Sequence, residues 1–409
     1  MTAVESALLW LIRAALHSEA EEPTLSAEDW ERLLRLAGEQ ELLPLVYDAA
    51  YRCASFRQLE AKTQKYFQER ALRAVTRQVV QGNEFLTLLL RAQAQGLDPV
   101  VLKGVTVRRL YPMPLLRPSV DEDLLIHPDA AEAYHAFFLS EGLTPDEPES
   151  DLSQAHELSY HRPNSPTYIE LHRYPFPPDS AAYGDLNALF EGALEHTEQI
   201  QIEDVSVRAL APTDRLLYLL CHAYKHFLHS GIGLRQVCDI AVTADALASQ
   251  IDWARILDAC EQVHIARFCA AVFRIGGRHL GFAAPEAFSG FQVDEGALLE
   301  DILAGGDFGT ADESRLHSSA ITLDAVAAQR QGRARAGLRR SLFPGREYLQ
   351  RRFPYAGNYP ILLPLAWAER LLAYVFKQNR QAAEALKIGE GRVALLKQYG
   401  VIEELKRWK

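Results

Sequence analysis

Apolar positions recur at helical spacing along roughly the first ninety residues. Trp30, Leu33, Leu34 and Ala37 fall at i, i+3, i+4 and i+7, and Ser26 with Asp29 resembles a capping box ahead of them. The pattern also predicts a longer helix from about Gln64 to Gln95, stopped by Gly96 and then Asp98-Pro99. From Val100 the period shortens. Short apolar runs at 100–103, 124–127, 157–161, 167–172 and 205–210 read as strands, with a helical stretch at 130–140 and an acidic, Pro-containing loop at 145–151. Arg162-Pro163-Asn164-Ser165-Pro166 is a turn signal between two of the strands. Thr213 and Asp214 then open a region that is helical nearly throughout, with a Gly-rich break at 305–309. There is no internal repeat and no low-complexity tract. The expected class is α+β: an N-terminal helical region (1–94), a small mixed-sheet core (95–211) and a large C-terminal helical domain (212–409).

Composition narrows the classes. A chain of 409 residues with 48% hydrophobic and 24% charged residues is globular rather than disordered or fibrous. Against 54 Asp+Glu stand 43 Lys+Arg, a formal charge of -11 that disfavours extensive nucleic-acid wrapping but permits a local basic cleft. Five widely spaced cysteines (Cys53, Cys221, Cys238, Cys260, Cys269) lack any Cys-x-x-Cys pair and read as reduced, mostly buried thiols. Glu5 before the first apolar run and Arg13 after it reverse the charge order of a secretory signal. Pro364, Glu369 and Arg370 interrupt the most apolar C-terminal stretch, so no membrane span is expected and a cytoplasmic location is.

Three acids in the sheet region have a suggestive geometry. Asp121 and Asp123, two positions apart at the start of a strand-like run, project from one face of it. In Tyr168-Ile169-Glu170-Leu171-His172, alternation puts Glu170 and His172 on the side opposite Ile169 and Leu171. If the strands are neighbours, Glu170 faces the aspartates. Clustered carboxylates favour a hard cation such as Mg²⁺, and two such ions activate an attacking oxygen and stabilise leaving pyrophosphate. The plainer reading is that Asp121 and Glu122 cap a turn and Glu170 is a solvated strand residue.

Motifs stand in a set order along the chain: Val101-Leu102-Lys103-Gly104, Leu110-Tyr111-Pro112, Leu116-Arg117-Pro118, Val120-Asp121-Glu122-Asp123-Leu124-Leu125-Ile126, Ile169-Glu170-Leu171-His172, and Leu219-Leu220-Cys221-His222-Ala223-Tyr224-Lys225-His226 with Leu234-Arg235 and Asp239. Together they resemble the uncharacterised nucleotidyltransferase family of the polymerase-beta-like superfamily. Leu342-Phe343-Pro344, Tyr348-Leu349 and Leu362-Leu363-Pro364-Leu365 look like the family's tail. The resemblance runs from about Leu97 onward. It implies a nucleotidyltransferase fold, Asp121 and Asp123 as ligands of two Mg²⁺ ions, Glu170 as the third catalytic acid, and Gly104 as the turn that contacts the triphosphate of an NTP donor. Two departures stand out. Lys103-Gly104-Val105 replaces the superfamily's Gly-Ser turn, so Lys103 and backbone N–H groups would seat the phosphates. Glu122 replaces an apolar residue on the side shared by Leu124 and Ile126, where its charge needs solvent or a partner.

Cations surround these acids in sequence. Arg117 belongs to the family motif and is expected at phosphate oxygens; Arg108 and Arg109 either join it or cover a solvated helix face. His222, Lys225, His226 and His229 fall at three- and four-residue intervals along one helical flank. Lys225 and His226 are read as phosphate or substrate contacts, in preference to a His-x-x-x-His metal site that Lys225 would oppose. Asp239 lies four residues after Arg235, the spacing of a helical ion pair. His172 is either structural or a base toward the acceptor hydroxyl. The Arg-rich stretch at 330–352 reads as a solvated helix flank in preference to a polyanion dock, and Trp367 and Tyr374 as core contacts. The expected activity is transfer of an NMP from an NTP to an unidentified acceptor, a small molecule or a peptide or protein before RNA, with release of pyrophosphate. The alternatives are a non-catalytic nucleotide- or partner-binding module of the same fold, and a His-based metallohydrolase.

Overall fold

A computed structural model describes residues 1–17, 23–148, 151–152, 155–307, 313–330, 355, 362–367, 369 and 379–402. The chain opens with α1 (Ala3–His17), α2 (Ala27–Glu39), α3 (Leu43–Arg52), the short α4 (Ala54–Arg57) and the long α5 (Ala61–Ala94). Ser26 caps α2 as its spacing predicts, its Oγ accepting the Asp29 N–H at 3.2 Å, and Trp30, Leu33, Leu34 and Ala37 are all buried. Helix α5 starts three residues before the expected point and stops where expected. Gly96, at φ +78°, turns the chain so that the Leu97 N–H reaches the Ala92 carbonyl.

The sheet region contains β1 (Val100–Val101), α6 (Val105–Arg108), β2 (Glu122–Leu125), α7 (Ala131–Ser140), β3 (Thr144–Pro145), β4 (Glu157–His161), β5 (Tyr168–His172), β6 (Thr197–Ile202) and β7 (Val205–Leu210). The seven strands are ordered β3-β4-β5-β2-β1-β7-β6, with β2/β5 and β1/β7 parallel and the other pairs antiparallel. Two strands lie outside the sequence expectation. β6 is an edge strand in which only Ile200 and Ile202 are buried, so its apolar signal is weak. β3 is a two-residue edge piece containing Pro145, a residue tolerated where no inward N–H is needed. The predicted hairpin turn is present between β4 and β5, with Asn164 at φ +59°.

Opposite faces of the sheet feed different apolar clusters. Val101, Leu124, Ile169 and Leu171 share a cluster with Phe85 and Leu89 of α5 and Phe137 and Phe138 of α7. Val100, Leu102 and Leu125 belong to a larger cluster that runs through α8 (Pro212–His229), α9 (Leu234–Ala246), α10 (Trp253–Gln262), α11 (Ala266–Leu280) and α12 (Gly296–Gly305) and back to α1–α3. Helix α1 packs directly on α11, and α13 (Glu313–Arg330) on α14 (Asn379–Gln398). One apolar cluster therefore takes residues from all three sequence segments. All five cysteines are buried and none forms a disulfide. No described helix is long and apolar enough to cross a membrane. Most of the Arg-rich stretch, the motif residues 342–349 and Tyr374 lie outside the described residues. Arg330 within them pairs with Asp185, and Trp367 is half-buried.

Candidate functional site

The parallel pairing of β2 and β5 builds the acidic centre. In its register Asp123 stands directly beside Glu170, and Leu125 beside His172. The carboxylates of Asp123 and Glu170 and the His172 imidazole each offer a ligand atom, all within 4.8 Å of one another. Asp121 precedes the strand and joins the group through a cation: Lys103 Nζ lies 3.2 Å from Asp121 Oδ2 and 3.2 Å from Asp123 Oδ2. The depth is graded. Asp123 is fully buried, whereas the Asp121 and Glu170 side chains keep 19% and 23% exposure and form the open side.

Lys103 and His172 neutralise much of this charge. Burial disfavours the Lys103 ammonium, yet Asp121, Asp123 and Glu170 outweigh it and raise the pKa above the ordinary lysine value. His172 donates through Nε2 to Asp123 Oδ1 at 3.2 Å, with Glu170 Oε2 at 3.6 Å, while its Nδ1 faces Glu157 Oε2 at 3.6 Å. Burial again opposes the charge, but the hydrogen bonds to Asp123 and Glu170 prevail and raise the pKa to about 9. An imidazolium with carboxylates at both nitrogens has no free lone pair at neutral pH. His172 is therefore a poor base toward an acceptor hydroxyl and a good clamp on the acids.

Glu122 points to the other face and has found a partner. Its Oε2 accepts the Val105 N–H at 2.8 Å, its Oε1 lies 3.3 Å from Arg108 Nη2, and it is fully buried. Burial raises its carboxyl pKa despite these donors. The glycine makes the packing possible: Gly104 sits at φ +69°, and a Cβ there would lie 2.0 Å from Glu122 Oε2. The first N–H of α6, expected to face a phosphate, is thus occupied by the protein's own carboxylate. Of the two neighbouring arginines, Arg108 is buried against Glu122 and Arg109 is exposed.

Arg117 also departs from its expected place. Its guanidinium is buried and clamps Asp239 of α9, Nε to Oδ1 at 3.0 Å and Nη2 to Oδ2 at 2.6 Å, with the Tyr111 hydroxyl donating to Oδ1 at 2.7 Å. Burial works against the Asp239 carboxylate, but Arg117 holds its pKa below the usual range. The i,i+4 pairing of Arg235 with Asp239 does not form; Arg235 binds Asp307 at 2.8 Å instead, because Arg117 fills the carboxylate from the sheet side. Arg117 acts on the acidic centre indirectly. Its Nη1 donates to Ser119 Oγ at 3.0 Å, and Ser119 Oγ donates to the Asp121 carbonyl at 2.9 Å.

The histidine flank of α8 faces the same region. His222 and His226 hold their Nε2 atoms 3.1 Å apart, and burial with the nearby charges of Lys103 and Lys225 depresses both pKa values well below the usual histidine range. They are neutral donor–acceptor groups, and Lys225 beside them is half-buried. The described residues bring no third metal-type ligand to this pair. Tyr218, one turn earlier, is buried, and its hydroxyl pKa is raised well above normal by burial and by Asp123 and Glu170. Tyr218 and Glu157 went unread in the sequence. For Glu157 a signal exists, since antiparallel β4 sets it opposite His172; Tyr218 carried none beyond its place on an apolar helix face.

An α+β molecule with an acid-bearing parallel strand pair at the centre of a mixed sheet is the class these observations define. Residues 26–281 match the model of the uncharacterised nucleotidyltransferase family, which is more than half of the chain, and the chain belongs to that family. The match includes α2–α5, ahead of the segment where the motifs begin, and ends before the stretch at 342–365 that resembled a family tail. No curated protein and no solved structure matches the chain.

Proposed function

We propose that the protein transfers a nucleoside monophosphate from an NTP to a hydroxylated acceptor, releasing pyrophosphate. The observation that carries this reading is the pairing of Asp123 with Glu170 on adjacent parallel strands, with Asp121 drawn to them through Lys103. The donor set suits Mg²⁺: three carboxylates, of which Asp123 is fully buried and its Oδ2 receives no hydrogen bond, only the Lys103 charge. Asp121, Asp123 and Glu170 would hold two ions, which supply charge stabilisation for the triphosphate and its leaving pyrophosphate.

The chain's own groups do the rest. His172 holds the Asp123 and Glu170 carboxylates in one orientation, and the Arg117–Ser119 relay holds the Asp121 backbone. Lys103, with Lys225 and His226 on the facing helix, supplies the phosphate contacts. Gly104 contributes by letting Glu122 lock the turn rather than by offering its neighbour's N–H to phosphate. The acceptor approaches from the side where Asp121 and Glu170 are exposed. The net charge favours a small molecule or a peptide or protein over a nucleic acid, and five cysteines outside disulfides fit a reaction in the cytoplasm.

A second reading, a nucleotide- or partner-binding module without turnover, draws on one observation: Glu122 already fills the turn N–H that a phosphate would use. The two separate cleanly. Each labelled NTP is incubated with the protein, Mg²⁺ and a cell extract, and both pyrophosphate and transferred label are followed. Transfer that is lost in Asp123→Asn, with the fold retained by circular dichroism, supports the enzyme. Tight metal-independent nucleotide binding without pyrophosphate release supports the module.

A further inference from the structure

The Lys103 ammonium occupies the oxygens that the proposed metal would take. It lies equidistant, at 3.2 Å, from Oδ2 of the partly exposed Asp121 and Oδ2 of the buried Asp123. Lys103 is itself buried and leaves the sheet at the end of β1, just before the Gly104 turn. A divalent ion on those two oxygens and an ammonium on the same two oxygens exclude each other, through shared lone pairs and like-charge repulsion. We infer that Lys103 is a built-in counter-ion that holds the metal site closed and ordered in the free protein, and that is displaced by the metal–triphosphate complex onto the phosphates. This rests on the reading of Asp121 and Asp123 as metal ligands.

Three features support an exchange over a permanent structural pair. Asp123 has a second partner that remains after Lys103 departs, since His172 Nε2 binds its other oxygen, Oδ1, at 3.2 Å. The lysine stem is flexible and carries a point charge, which suits relocation better than a planar guanidinium held at two points, as in Arg117. His222 and His226 of α8, whose pKa values the Lys103 charge helps to depress, are uncharged and add no repulsion of their own to its relocation. The exchange also couples two events. Metal alone must displace a buried cation with nowhere better to go, whereas metal with triphosphate offers that cation a new anion. The free protein should therefore bind bare metal weakly and the metal–triphosphate pair strongly.

The test measures Mn²⁺ binding to the full chain by calorimetry or electron paramagnetic resonance, with Mn²⁺ alone and with Mn²⁺ plus inorganic tripolyphosphate. Lys103→Met should tighten Mn²⁺ alone by about tenfold or more and weaken the tripolyphosphate complex relative to wild type. Lys103→Gln, closer in polarity, serves if the Met variant fails to fold. Wild type supplies a check free of substitutions: acylation of Lys103, read by peptide mass spectrometry, should quicken at Mn²⁺ concentrations high enough to fill the weak site in the absence of tripolyphosphate. Unchanged or weaker Mn²⁺ affinity in the Lys103 variants, together with loss of binding in Asp123→Asn, overturns the exchange and leaves the metal site standing. Mn²⁺ binding that Asp123→Asn does not affect, or no binding by any variant, overturns the metal-site reading and the exchange with it. Slower Lys103 acylation in Mn²⁺ also counts against the exchange.

Discussion

Replacing His172 by Asn should flatten the alkaline limb of the protein's stability profile. His172 is almost fully buried, with Asp123 and Glu170 at Nε2 and Glu157 at Nδ1, and these carboxylates raise its pKa from 6.5 to about 9 against the cost of burial. A folded-state pKa above the unfolded one stabilises most below the unfolded value, and that stabilisation disappears as pH rises through the folded value. The window is therefore about 6.5 to 9, and the shift corresponds to roughly 3 kcal/mol. The assay is urea unfolding of wild type and His172→Asn in EDTA from about pH 6 to pH 9.5, with stability extrapolated to water. Wild type should lose roughly 3 kcal/mol more than the variant across that range. The variant is expected to be less stable at the acid end, and the diagnostic quantity is the difference in slope. Parallel profiles would refute the claim that His172 is a buried imidazolium clamping the acids, and would restore it as a candidate base.

The neutral histidines give the opposite sign. His222, His226 and His229 have depressed pKa values, His229 down to about 4, so their contribution is present above 6.5 and is lost as pH falls; wild-type stability should decline on the acid side too, less steeply in His229→Gln. Gly104→Ala puts a Cβ against the buried Glu122 carboxylate at φ +69° and should cost roughly 2–4 kcal/mol by thermal or urea unfolding, a loss retained in the Glu122→Gln background because the isosteric amide keeps the clash and the backbone strain persists. Asp239→Asn leaves the Arg117 guanidinium buried without its counter-charge and should destabilise by about 3–5 kcal/mol; the same variant should weaken Mn²⁺ binding, because Arg117 carries the Ser119 contact to Asp121. A stability loss with unchanged Mn²⁺ affinity would show that the relay does not position Asp121.

The legible part of this protein lay in short-range pattern. Helical periodicity marked α2 and α5, short apolar runs between turn signals marked β4 and β7, and the shortening of the period at Val100 marked the start of the sheet. Alternation also set Glu170 and His172 on one side of their strand, and the motif order around Lys103, Asp121 and Glu170 pointed to the family that residues 26–281 match. Edge strands β3 and β6 were hidden because an edge needs little apolar sequence, and β3 tolerates Pro145.

Partner choice among charged groups followed a different rule. Asp239 has Arg235 at helical spacing and still binds Arg117 from 122 residues away, and Glu122 meets Arg108 and the Val105 N–H rather than solvent. Spacing along one helix ranks contacts worth a fraction of a kcal/mol on an exposed surface. Burial raises the stakes several-fold, so each desolvated charge takes the counter-charge that chain packing brings within reach. Residue type and period therefore announced which side chains could do chemistry, while the docking of β2 against β5 and of the sheet against α8 and α9 assigned each one its neighbour.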